Sequence, residues 1–227
     1  MAILDAFRLD GKAAIVTGCN TGLGRAMAIG LAEAGADIAG VYRSETAETE
    51  AAVSALGRRF LPLKADLADP AVSDDVVARA ADGLGGVDIL VNNAGIIRRN
   101  DILEFGESDW DAVMNTNLKT LFFLSQSFAR RLTAEGRPGK IINVASMLSY
   151  QGGIRVASYT ASKSGVLGLT RLMANELAGR GINVNGIAPG YMATNNTKAL
   201  REDEERNKAI LERIPAGRWG RPEDMQG

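Results

Sequence analysis

Along the chain, short unbroken runs of aliphatic and β-branched residues alternate with longer stretches whose apolar positions recur at helical spacing. The short runs read as buried strands: KAAIVTG (12–18), DIAGVY (37–42), RFLPLKAD (59–66), VDILVNNAG (87–95), GKIINVAS (139–146) and INVNGIAPG (182–190). Helices are predicted between them, over 25–36, 45–57, 69–85, about 108–133 and 157–179. The punctuation agrees with this division. Gly35 and Gly57 close the first two helices. Asp69 caps the third, with Pro70 in its first turn. Pro62 lacks an N–H for a ladder and places the third strand at a sheet edge. The run REDEERNKAILERI (201–214) reads as a solvated helix face, and LFFLSQSF (121–128) as core or subunit contact.

Strands that return through helices in this way form parallel sheets, with right-handed crossovers and helices on both faces. The expected fold is α/β: a Rossmann-type doubly wound parallel sheet, three-layer α/β/α, in a single domain over residues 1–227.

Composition narrows the function. Hydrophobic residues make up 46% and aromatics 5%, so the core is aliphatic. A net charge of −1 without a basic cluster argues against nucleic acid. No apolar run reaches the ~18 residues of a membrane span. Asp5, Arg8 and Asp10 interrupt the N-terminus where a signal peptide is apolar. The one cysteine, Cys19, excludes an internal disulfide, fits a cytoplasmic location and is read as filling space. Histidine is absent, so no transition-metal site is expected, and proton transfer near neutral pH needs another group.

Two stretches offer chemistry. TGCNTGLG (17–24) joins the first strand to the first helix. Gly18, Gly22 and Gly24 stand where a tight turn, a close backbone approach and helix–strand packing exclude side chains, and the helix N-terminus behind them offers free N–H groups to a phosphate. In SYTASKSG (158–165), Tyr159 and Lys163 are four apart and share a helix face. A free tyrosine has a pKa of ~10. A neighbouring ammonium favours the phenolate and lowers it, so the pair can replace the missing histidine as general acid and base.

Taken in order, TGxxxGxG at 17–24, NNAG at 92–95, Asn117, Ser146, Tyr159-x-x-x-Lys163 and PG at 189–190 resemble the short-chain dehydrogenase/reductase pattern from about residue 10 to the C-terminus. The resemblance implies catalysis by Ser146, Tyr159, Lys163 and Asn117. Ser146 would bond the substrate oxygen, Lys163 would also hold the nicotinamide ribose, and Asn117 would hold a water that relays protons to Lys163. It implies a cofactor site of Gly18, Asn20, Thr21, Gly22, Leu23, Gly24, Tyr42, Arg43, Asp66, Leu67, Asn93, Ala94, Gly95, Tyr159, Lys163, Pro189, Gly190, Met192 and Thr194, with Asp66 accepting from the adenine amine. It also implies a mobile lid over 191–214 and a homo-oligomer, tetramer or dimer. Family members continue through a further helix and a seventh strand, which this chain lacks; strand six is then an open edge.

Within the family, NNAGIIRR (92–99), ASMLSYQGGIRVASYTASKSG (145–165), APGYMATNNT (188–197) and RIPAGRWG (213–220) are similar to enzymes that move a hydride between a nicotinamide and a sugar-acid hydroxyl or ketone. A carboxylate calls for a guanidinium fork, and Arg98 and Arg155 are the candidates, with Gln151 beside Ser146 and Tyr159 in the substrate site. Two other readings are a reductase of 3-oxoacyl thioesters and a cofactor-binding sensor without turnover. For the cofactor, NAD preference goes with an acidic residue at the end of strand two. That place holds Tyr42, then Arg43 and Ser44. Arg43 can meet a 2′-phosphate and Tyr42 can stack on adenine, so NADP(H) is expected, with NAD(H) tolerated.

Overall fold

The computed structural model describes residues 2–227. Six parallel strands form one sheet in the order β3-β2-β1-β4-β5-β6: β1 (Ala13–Thr17), β2 (Asp37–Tyr42), β3 (Phe60–Lys64), β4 (Ile89–Asn92), β5 (Gly139–Val144) and β6 (Ile182–Ile187). This is the Rossmann-type sheet, and its order reverses between β1 and β4. There the strands' carboxyl ends diverge and leave a crevice.

Alternation along β1 shows how the layers arise. Ala13 and Ile15 enter one core with β-strand neighbours Val41, Leu90 and Ile141. Helices α3 (Ser73–Leu84), α5 (Thr120–Ala134) and α7 (Ala157–Leu177) cover that face through Val76, Ala80, Leu124, Phe128, Leu132 and Met173. Ala14 and Val16 point the other way, into a core closed by Met27, Ala28 and Ala32 of α1 (Gly22–Glu33) and Val53 of α2 (Ala47–Ala55). Both faces are apolar, which is why the strands read as unbroken runs.

Pro62 pairs with Gly40 on edge strand β3, as its missing N–H requires. Strand β6 forms the other edge, and its burial alternates between covered and exposed residues. Asp69 caps a short turn ahead of α3, its Oδ1 accepting from the Ala71 N–H at 2.9 Å. Helix α1 starts three residues before the predicted boundary, because its first turn is built from the glycine loop itself. The strands stop short of their predicted ends where their sequences turn into loops over the crevice.

The predicted long helix is not continuous. It divides into α4 (Glu107–Met114), a π-helical turn at Asn115–Lys119, and α5. Such turns insert one residue into the helical ladder and recur at functional sites. A local polar demand accounts for this one. Asn117 is fully buried, and its Oδ1 accepts from the Ile96 N–H at 2.9 Å while its Nδ2 donates to the Ile96 carbonyl at 3.0 Å. Among the described residues no helix is long and apolar enough to cross a membrane.

Candidate active site

The crevice is a cleft of about 1200 Å³. Its floor is the glycine loop. Gly18 has φ +64°, a left-handed conformation that suits glycine. Gly24 is excluded from bearing a side chain by space alone: a Cβ there would lie 2.1 Å from the Gly18 carbonyl oxygen and 2.4 Å from Asn93 Nδ2. The loop is tied to the exit of β4. Asn93 Nδ2 donates to the carbonyls of Thr17 (2.9 Å) and Gly18 (3.3 Å), and Thr17 Oγ1 accepts from the amides of Asn93 and Ala94, both at 2.9 Å. Asn93 therefore spends its side chain on shaping the cradle. Asn20 Nδ2 donates to Ser44 Oγ at 3.1 Å and ties the loop to the end of β2.

This cradle fits a dinucleotide. The start of α1 lines the cleft with its backbone N–H groups, and glycines keep side chains out of the approach. Tyr42, Arg43, Asp66 and Leu67 line the end beside β2 and β3. Asp66 also accepts from the Ala68 N–H at 3.0 Å, so one of its oxygens already shapes its own loop. Ala94, Gly95, Pro189, Gly190, Met192 and Thr194 line the opposite side. Cys19 is buried beneath the loop, and burial pushes its thiol up to about 12, which leaves it without thiolate chemistry at neutral pH.

At the deeper end, Ser146, Tyr159 and Lys163 line the same cleft. Ser146 follows β5. Its Oγ accepts from the Leu148 N–H at 3.1 Å, which leaves its O–H to donate toward Tyr159. Ser149, in the short helix α6 (Leu148–Gln151), donates to the Lys163 carbonyl at 2.8 Å and fastens this loop to α7. Lys163 is buried, and its Nζ donates to the Val144 carbonyl at 2.6 Å while standing 5.8 Å from the Tyr159 ring centre. Burial brings its pKa down to about 8.

Burial raises the Tyr159 hydroxyl above its ordinary value, and the Ser146 hydrogen bond and then the charge of Arg99 draw it back. The Lys163 ammonium is turned to Val144 in this structure.

The arginines need a correction. Arg98 lies outside the cleft and pairs with Asp109 at 3.1 Å. Its neighbour Arg99 lines the cleft instead and donates to the Asn196 carbonyl at 2.9 Å. In an extended segment adjacent side chains point to opposite sides, so RR offered two answers and the parity decided. Arg155 does line the cleft, as does Gln151, and Arg155 is the one non-glycine residue with positive φ (64°) among those described. Asn117 lies behind the wall, with its Nδ2 also 3.3 Å from Ser162 Oγ; its side chain fixes the Gly95–Ile96 loop.

The run 201–214 was read as a solvated face, yet Glu205, Arg206, Ala209, Ile210 and Arg213 of it line the cleft. They belong to α9 (Glu204–Leu211) and the turn after it, beyond the short helix α8 (Lys198–Glu202). A buried polar chain under the sheet was also missed: Asn92 Nδ2 donates to Ser125 Oγ (2.8 Å) and Asn143 Oδ1 (2.9 Å), and Asn143 Nδ2 to Thr170 Oγ1 (3.0 Å).

Residues 12–205 match the family model for short chain dehydrogenases. The chain belongs to that family. It is 62% identical to the 2-dehydro-3-deoxy-D-gluconate 5-dehydrogenase of Dickeya dadantii, over 99% of this chain and 89% of that one. The enzyme of the same name from Escherichia coli is 63% identical over the same shares. Among solved structures, a protein of Agrobacterium tumefaciens described as a 2-deoxy-D-gluconate 3-dehydrogenase, with bound NADP, superposes with a TM-score of 0.93 at 59% identity, covering 97% of this chain and 88% of that one.

Proposed function

We propose that this protein is an oxidoreductase that moves a hydride between NADP(H), with NAD(H) tolerated, and a secondary alcohol or ketone of a deoxy-sugar acid of the 2-dehydro-3-deoxy-D-gluconate or 2-deoxy-D-gluconate type. The observation that carries it is the convergence of Ser146, Tyr159 and Lys163 on one cleft with a glycine cradle at its other end. The named relatives, at about 60% identity over nearly their whole length, support the substrate class.

The nicotinamide, when bound, supplies the hydride acceptor or donor. The chain's own residues do the rest. Glycine-loop amides would hold the phosphates, and Arg43 would meet the 2′-phosphate. Lys163 would bond the ribose and offer its charge to the Tyr159 phenolate. Tyr159 takes the substrate hydroxyl proton in oxidation and returns it in reduction. Ser146 donates to the substrate oxygen as it gains charge. Arg99 and Arg155 favour an acid over a neutral sugar, and residues 191–214 form a lid.

Trp110, Phe123 and Leu172, exposed on α4, α5 and α7, support assembly as a homo-oligomer, which light scattering after gel filtration tests. A buried, unpaired cysteine suits a reducing compartment such as the cytoplasm. The test of the reaction is absorbance at the reduced nicotinamide band with a panel of keto-sugar acids and both nicotinamides. Turnover of 3-oxoacyl thioesters and of no sugar acid would overturn the reading.

A further inference from the structure

Two arginines from different elements line the same cleft: Arg99 on the loop after β4, and Arg206 on α9. Among the described residues neither forms an ion pair, and the carboxylates that line the cleft are Asp66 and Glu205. Burial and then the charge of Arg206 lower the pKa of Arg99, while Tyr159 raises it. Tyr159, the acid–base hydroxyl, lines the same cleft.

The two arginines are held differently. Arg99 is anchored by its bond to the Asn196 carbonyl at 2.9 Å. Helix α9 contributes only Ile210 to the buried interior. It is otherwise held at its ends and flank: Asp203 accepts from the Arg206 N–H at 3.0 Å, and Trp219 Nε1 donates to Asn207 Oδ1 at 2.7 Å, its ring edge-on to Tyr191. An element with so few buried apolar contacts moves at little cost.

We propose that Arg99 and Arg206 grip the substrate carboxylate between them, and that this bridge draws α9 over the reacting atoms. The proposal rests on the sugar-acid dehydrogenase reading and adds to it a specificity-determining residue, Arg206. With no anion in place, like charges hold the two arginines apart. A carboxylate has two oxygens, one for each guanidinium, and converts that repulsion into attraction on both sides. A ligand shifts a conformational equilibrium only by its differential affinity for the two states, and here the anion supplies that difference. A neutral sugar fills the same cleft without closing it. Closure in turn expels water from around Tyr159.

Trp219 reports on the helix through its bond to Asn207, and Trp110→Phe removes the one other tryptophan signal. In that background, 2-dehydro-3-deoxy-D-gluconate should change the Trp219 emission, and its neutral carboxamide should not. Arg206→Ala should abolish the change and raise KM for the acid about 10- to 100-fold, the scale of one charge-assisted pair. KM for the carboxamide should stay within about twofold. Arg206→Lys should recover part of both effects. Equal KM changes for acid and amide, or an equal emission change with the amide, overturns the clamp alone. A parent protein that neither binds nor turns over the acid overturns the reaction and the clamp together.

Discussion

The Nζ of Lys163 donates to the carbonyl oxygen of Val144 at 2.6 Å, with its pKa brought down by burial to about 8. The folded chain thus releases this proton more readily than the unfolded chain, in which a lysine sits at 10.5. Between those values the unfolded state holds more protons, so stability rises with pH and the cost of burying the charge is fully present below about pH 8. Tyr159 shifts in the opposite sense, upward, and erodes the gain above its ordinary pKa of about 10. Unfolding by denaturant should show a gain of about 1–2 kcal/mol from pH 8 to 9.5, and Lys163→Met should flatten it. An unchanged slope in the variant would show that Lys163 is not the titrating group.

Tyr159 is protonated in the free protein at neutral pH, since burial holds its hydroxyl above the ordinary range. Oxidation of an alcohol needs the phenolate. The kcat/KM for oxidation should climb from neutral pH into the alkaline range, whereas reduction should fall there. Tyr159→Phe should lower both by about 10²- to 10⁴-fold, the usual worth of a positioned acid or base, with cofactor Kd nearly unchanged. Retention of a rate within tenfold would assign the proton to another group.

Gly24→Ala sets a methyl 2.1 Å from the Gly18 carbonyl, a backbone atom that cannot swing aside. Overpacking of this kind costs about 1–3 kcal/mol. Both Tm and cofactor affinity should drop. Gly57→Ala, with nothing within 4 Å but φ +71°, is the comparison: it should strain the backbone yet leave cofactor Kd alone.

On the proposed reading Arg43→Ala would remove one charge-assisted contact to a 2′-phosphate, about 1.5–3 kcal/mol. The ratio of kcat/KM with NADP(H) to that with NAD(H) should fall about 10- to 100-fold. If the parent prefers NAD(H) and the variant keeps its ratio, Arg43 points to solvent.

Much of the sheet was legible because both faces of a parallel strand are covered, so β1, β2 and β4 read as continuous apolar runs. The glycine loop was legible because glycine is the residue that fits there. What escaped was set by non-local geometry. No periodicity in 108–133 reveals that Asn117 must reach Ile96 and so opens a π turn. The facing of Arg99 over Arg98 depends on a one-residue parity in an extended loop. The polarity of 201–214 is that of a solvated helix, and its cleft-lining side becomes visible only in the folded structure, where α9 lines the cavity. Spacing put Lys163 beside Tyr159, but a carbonyl nineteen residues away in sequence holds the ammonium.

The bonds from Asn93 and Thr17 lock the glycine loop to the exit of β4 before any dinucleotide arrives. Half of the cleft is thus a finished mould, while the other half is roofed by a helix with one buried residue. A finished mould binds without reorganisation. The consequence expected of the proposed reaction is a sequence in time: the dinucleotide would enter first and leave last, and the sugar acid would come and go above it in a compulsory order.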